Sequence, residues 1–300
     1  MTNDLYSFIE NIGKSGETNT PEMKTFDPDE YRQKKEQERR ETFDLLDAAT
    51  VEAVSSNEDF SQYIRLQARL NYTVANTLLV FKQKPDAVQL KEFDDWKADG
   101  VSIKKNSKAI RILEPTSART REGEAFTGFN VKKVLDISQT NALPVNQKRE
   151  IPDKRTIMYA VSSIVNVELG VTDQLPDNRD AMYGREQRTI YLRRGLNDLE
   201  VVKGVITEAI RANIVCEQPE IQEDILDFQT MCGAYLVEKD HGMAEKDVHI
   251  DVPDAVKKKK PKEIRKILNK PVELRNQIRE AERQILQRAA EKPSPIREER

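Results

Sequence analysis

Residues 104–115 read Lys-Lys-Asn-Ser-Lys-Ala-Ile-Arg-Ile-Leu-Glu-Pro. Within this stretch Ala109–Leu113 places Ile110 and Ile112 on one side of an extended chain and Arg111 on the other, the alternation of a half-buried strand. Pro115 is expected to stop it, because proline cannot donate to a strand ladder. Lys104, Lys105 and Lys108 form a basic group leading into the strand. A polar loop is expected over 116–126. The next run, Phe129–Ile137, has strand composition through Val131, Val134 and Leu135. The two runs are expected to pair. Most of the remaining chain reads as helix, so the expected fold class is α+β.

Working outward, Asp27-Pro28-Asp29-Glu30 has the marks of a helix start, with proline in the first turn and acids at the positive end. That helix is expected to reach about Val51. Ser55 and Glu58 stand at capping-box spacing, ahead of a stretch with Phe60, Tyr63, Ile64 and Leu70 near one face. Further helices are expected over Asn76–Gln83, closed by Pro85, and over Leu90–Lys97. Residues 1–26, polar and carrying Gly13, Gly16 and Pro21, are expected to be disordered. The polar stretch Asn141–Pro152 marks a domain boundary. Beyond it the pattern predicts a helix over Lys154–Asn166 and a hairpin over Ala181–Arg193. Helices follow over Asp198–Asn213, capped by Asn197, and over Gln222–Lys239, ended by His241-Gly242. Pro253, Lys257–Lys260 and Pro261 read as a linker, and Lys262–Asn269 and Val272–Ala290 as two charged helices. The expected organisation is a disordered 1–26, a domain over 27–145, a mainly helical domain over 150–250 with a short β-hairpin, and a basic helical tail over 251–300.

Composition narrows the function. Of 300 residues, 37% are hydrophobic and 34% charged, polar enough that part of the length is expected to be solvated helix. No run approaches the ~18 apolar residues of a membrane span. The start lacks a basic segment followed by an apolar one, so a cytoplasmic protein is expected. Two cysteines and two histidines exclude a disulfide scaffold and histidine-rich metal chemistry, and no cofactor or metal is expected. The net charge of −3 is unevenly spread. Residues 251–300 hold 15 basic and 9 acidic side chains, so they carry +6 and the first 250 residues carry −9. Binding of nucleic acid needs only a clustered basic footprint, and Lys257–Lys260 is the densest cluster.

Particular residues go further than composition. Tyr72-Thr73-Val74-Ala75-Asn76 precedes Leu78-Leu79, Gln83, Pro85 and Ala87, then Phe93, Trp96, Gly100 and the 104–115 run. The set closes on Phe129, Val134 and Asp136-Ile137-Ser138-Gln139-Thr140. Over about residues 40–140 this order resembles the N-terminal single-stranded-DNA-binding domain of ArdC-type antirestriction proteins, relatives of which occur in conjugative plasmids and transposons. The family tends to have serine at Thr73 and glycine at Asn106; threonine keeps the hydroxyl, and asparagine tolerates turn conformations that glycine adopts. Single strands need cationic contacts to phosphate and flat surfaces for bases. Candidate DNA contacts are Lys104, Lys105, Lys108, Arg111, Lys132 and Lys133 for phosphate, and Tyr72, Trp96 and Phe129 for stacking, with Asn76 beside them. For each aromatic the hydrophobic core is the competing destination, and Tyr72 and Asn76, four apart on an expected helix, have the alternative of positioning the loop that follows.

In that family the DNA-binding domain is commonly followed by a zincin-like metallopeptidase domain. The resemblance continues here as hairpin, motif helix and later helix. The His-Glu-x-x-His motif falls on Thr207-Glu208-Ala209-Ile210-Arg211, and the acidic third ligand on Thr230. Only Glu208 keeps an acidic character. A catalytic zinc needs three protein ligands, and Thr207, Arg211 and Thr230 do not supply them. Arg211, always cationic, is expected to pair with Glu208 or another acid instead. The resemblance therefore implies a degenerate peptidase domain without enzymatic activity. Two functions follow. One is sequence-tolerant single-stranded-DNA binding by an antirestriction-like accessory protein of a mobile element. The other is a scaffold that holds a protein partner through the degenerate cleft or the C-terminal helices. No membrane partner is expected.

Overall fold

The computed structural model describes residues 27–119, 125–143, 151–245 and 247–291. The disorder expected over 1–26 lies outside them. Helix α1 (Pro28–Ala53) begins as its sequence dictates: the Asp27 carboxylate accepts the Asp29 N–H at 2.8 Å. Its buried residues, among them Leu46, Ala49 and Ala53, lie in its C-terminal half. Helix α2 (Asn57–Arg69) is capped by Ser56, which accepts from Asp59 N at 3.0 Å, one residue later than the expected Ser55–Glu58 box. Thr73 caps α3 (Val74–Gln83).

The expected helix over Leu90–Lys97 divides into β1 (Leu90–Glu92) and α4 (Phe93–Ala98). Asp136 accounts for the division. Its carboxylate accepts the N–H groups of Val88 and Gln89 and draws the chain alongside a strand. That strand is β3 (Ala125–Asp136), central in a sheet of order β1-β3-β2. β2 (Ile110–Arg119) pairs with it antiparallel, Ile110 opposite Val134 and Leu113 opposite Val131.

Pro115 does not stop β2, which passes through it opposite Phe129. β2 is an edge strand, and its outward groups at residues 111 and 113 are met by side-chain amides from α3. Gln83 exchanges two hydrogen bonds with the Arg111 backbone, both 2.9 Å. Asn76 does the same for Leu113 at 2.8 and 2.9 Å. The next outward position is Pro115, where the missing donor leaves nothing unpaired.

The second half opens with α5 (Lys154–Ser163). The expected hairpin is β5 (Ala181–Gly184) against β6 (Thr189–Arg193). A further strand, β4 (Glu168–Thr172), lies parallel to β6 and gives the order β4-β6-β5. Two long helices follow, α6 (Asp198–Glu217) and α7 (Glu223–Asp240). After the short α8 (Asp254–Lys257) comes α9 (Pro261–Glu291). No helix of the described residues is long and apolar enough to cross a membrane.

Where the sequence suggested two helices in a tail, α9 is one helix that runs through Pro271. A proline inside a helix leaves the carbonyl four residues back without its donor. Here that carbonyl belongs to Ile267, and the buried Gln229 of α7 donates to it at 2.8 Å. α9 is also not a tail. Its Ile264 and Leu268 lie in one core with Phe60, Leu78, Ile110 and Phe228; its Leu274 and Ile278 lie in a second with Ile157, Ile190 and Ile210. Those four aliphatic side chains, at about 2 kcal/mol each, rival the whole stability margin of a domain, about 5–15 kcal/mol. From Arg39 onward the chain is one compact unit, and its two larger cores share α7 and α9.

Replacing Gln229 by leucine should lower stability by about 1–3 kcal/mol in urea denaturation, because the Ile267 carbonyl is then buried without a donor. In a Pro271→Ala background, whose new N–H serves that carbonyl, the same replacement should cost measurably less.

Candidate nucleic-acid interface

An open groove of about 920 Å³ runs between the first half of the protein and α9. One wall carries Phe43 of α1, Tyr72 and Thr73 at the start of α3, and Pro115 and Phe129 of the sheet. Phe43 and Phe129 meet edge to face, ring centroids 6.1 Å apart at 79°. Both remain more than one-third exposed, and Tyr72 is half-buried. The other wall is one face of α9: Lys262, Lys266, Asn269, Glu273 and Asn276 recur every three or four residues. Arg265 also lines the groove, but its guanidinium is bonded to Asp47 at 2.6 Å and to the Thr50 hydroxyl at 3.0 Å. Lys262 and Lys266 are exposed.

The structure separates the DNA contacts expected from sequence. Tyr72 and Phe129 come together in the groove. Asn76 reaches its edge, but both ends of its amide are bonded to Leu113, so its role is to hold β2 rather than to read a base. Trp96 is 2% exposed and donates its indole N–H to the Leu135 carbonyl at 2.9 Å; it is a core residue, not a stacking surface. Lys132 lies between Glu114 and Glu92 at 2.6 and 2.8 Å, and those two bonds push its ammonium pKa up. Such a lysine is neutralised by its neighbours before any phosphate arrives. Arg111 pairs with Glu41 at 3.3 Å. Lys133 is exposed.

Lys104, Lys105 and Lys108 are exposed and precede β2, whose first residue, Ile110, is five residues from Pro115, about 17 Å along the strand. Asn106 turns the chain there with a φ of 63°, the left-handed conformation that asparagine accepts in place of glycine. The groove's basic wall was missed because Pro271 made α9 look like two tail helices. The spacing of Lys262, Lys266, Asn269, Glu273 and Asn276 was the available signal.

The altered motif lies on α6 and α7, which approach closely at Gly233: a Cβ there would stand 3.0 Å from Ile210. Glu208, 8% exposed, accepts the Tyr183 N–H of β5 at 2.8 Å. Burial pushes its carboxyl above the usual range, against the Tyr183 hydrogen bond and the Arg211 charge. Arg211 pairs with Glu223 at 3.0 Å and with Asp227, both on α7, rather than forming a hydrogen-bonded pair with Glu208. Thr207 is half-buried, and Thr230 is buried with no hydrogen-bond partner for its hydroxyl. Among the described residues no three His, Cys, Asp or Glu side chains gather as a metal-binding group. This donor set does not fit a divalent metal: it consists of a paired guanidinium, two hydroxyls and one carboxylate that is already bonded.

No protein-family profile matches the sequence, and no curated protein matches it significantly. Its fold, with two small sheets and long helices, is similar to that of an ArdC antirestriction protein. The solved structures it is similar to include the antirestriction protein ArdC from plasmid R388 in metal-free form, 13% identical over 80% of this chain and 98% of that one, with a TM-score of 0.58. The Mn(II)-bound form of the same protein is 12% identical over 79% and 98%, with a TM-score of 0.57. That neighbour binds Mn(II) in its crystal; the residues of α6 and α7 in this chain do not suit such an ion.

Because the folded pKa of Glu208 is raised, its contribution to stability is full below the ordinary glutamate value and is lost as pH rises through the raised one. Glu208→Gln keeps an acceptor for Tyr183 and removes the titration. Urea denaturation from acidic to neutral pH should show the wild type losing stability relative to this variant as pH rises.

Proposed function

We propose that this chain is a non-enzymatic, antirestriction-type accessory protein of a mobile element that binds single-stranded DNA in the groove between Tyr72, Phe129 and α9. The observation that carries the reading is the pairing of an aromatic wall with a basic one across a single open groove. Exposed bases stack on aromatic faces whatever their identity, and lysines follow the phosphates. A duplex keeps its bases stacked inside, so Tyr72 and Phe129 favour single strands, whereas Lys262 and Lys266 attract both forms. The ArdC fold supports the antirestriction setting, and the unsuitable donor set around Glu208 supports the absence of metal-dependent hydrolysis. The exposed group Lys104, Lys105 and Lys108 is a second, separate basic surface on which a longer strand would continue.

Full-length protein should bind a labelled single-stranded oligonucleotide more tightly than a duplex of equal length. Each phosphate contact adds about 0.7 to the slope of log affinity against log salt. Lys262→Ala with Lys266→Ala should weaken binding across unrelated sequences and reduce that slope. Wild-type affinity and slope in this variant would remove the groove from the reading, and no preference for single strands in the intact chain would remove single-stranded DNA.

Titration with Mn(II) or Zn(II) should give no saturable site, and peptide substrates should remain uncut. One tightly held ion per chain after dialysis would overturn the non-enzymatic part.

A further inference from the structure

We infer that Arg279 is a positioning residue for the groove, holding the Asn71–Tyr72 turn, and with it the aromatic wall, from the opposite half of the protein. The inference rests on the DNA-binding reading above. Tyr72 is the first groove aromatic after α2, and nothing in a short turn by itself fixes the direction of its ring. Two anchors hold this turn. Fully buried Gln67 donates to the Tyr72 carbonyl at 2.9 Å and is itself held by the Tyr63 hydroxyl at 3.2 Å. Arg279 of α9 donates to the Asn71 side-chain oxygen at 2.7 Å.

Arg279 is in turn oriented by Asp240, the last residue of α7. Its guanidinium makes two hydrogen bonds to that carboxylate, at 2.6 and 2.5 Å. Asp240 also takes two from Arg275, which donates in addition to the carbonyls of Gln67 and Ala68 at 3.1 and 2.8 Å. Every link from Asp240 to the turn therefore passes through a charge-assisted bond with fixed fork geometry. The half of the protein that carries the altered motif contributes to the groove in this way, by orienting a loop rather than by chemistry.

A double-variant cycle on the full chain tests this. Tyr72→Ala should weaken single-stranded DNA binding roughly 5- to 150-fold, the range for loss of one base–aromatic stack. Arg279→Lys keeps the positive charge but loses the fork. It should also weaken binding, with the salt slope unchanged. The two together should bind no more weakly than Tyr72→Ala alone, because a mispositioned ring and a missing one are the same loss. Circular dichroism checks that the variants stay folded. If Arg279→Lys does not, Asn71→Ala breaks the same link from the exposed side and should show the same non-additivity. Wild-type affinity in Arg279→Lys, or losses that multiply in the double variant, would overturn the inference while leaving the groove in place. A Tyr72→Ala variant that binds as the wild type would overturn the groove reading and this inference with it.

Discussion

Arg275 is 2% exposed, and a guanidinium so far from water is tolerated only when its donors are satisfied. Asp240 and the carbonyls of Gln67 and Ala68 take up four of its five. Those partners come from α7 and from the end of α2, while Arg275 itself belongs to α9. One side chain thus joins the two cores and the helix that lies across both. Removing one member of a buried pair costs about 3–5 kcal/mol, most of it the charge left behind. Burial alone would push the Asp240 carboxyl up, but the hydrogen bonds from Arg275 and then Arg279 outweigh it and hold it below the usual range. Its stabilisation is therefore present above the ordinary aspartate pKa and lost as pH falls through the depressed one.

The groove depends on that join. Its basic wall is a face of α9, which lies against the first half and runs through Pro271 with Gln229 donating to the carbonyl that the proline leaves free. A hydrogen bond from the helix of the altered motif thereby helps to shape a surface facing the other half. The altered motif has a comparable local use: Glu208 is bonded to the N–H of Tyr183 on β5, an edge strand. That hydrogen bond ties the hairpin to α6.

Charge follows the same pattern. The first 250 residues carry −9 and the last fifty +6, a balance that favours a scaffold if the tail is detached. With α9 packed in place, part of that positive charge, Lys262 and Lys266, faces the aromatic residues of the acidic portion. Among the lysines and arginines nearer the sheet, Lys132 and Arg111 are occupied by glutamates.

The sequence alone determined the elements whose signals are local. Alternation at Ile110 and Ile112 marked β2, the Asn197 cap marked α6, and the α+β class followed from such signals. It also determined the chemistry at Thr207, Arg211 and Thr230, since side-chain type excludes metal ligands before any coordinates exist. Tertiary structure decided what depends on partners distant in the chain. Pro115 sits within a strand because α3 covers the neighbouring edge positions, and Pro271 sits within a helix because Gln229, 38 residues from Ile267, supplies a donor. Trp96 is in the core and Phe129 in a groove because burial is a property of what packs around a ring, and the two rings look alike in sequence. The basic wall was written in the spacing of α9, but only the packing of that helix across two cores gave it an aromatic surface to face.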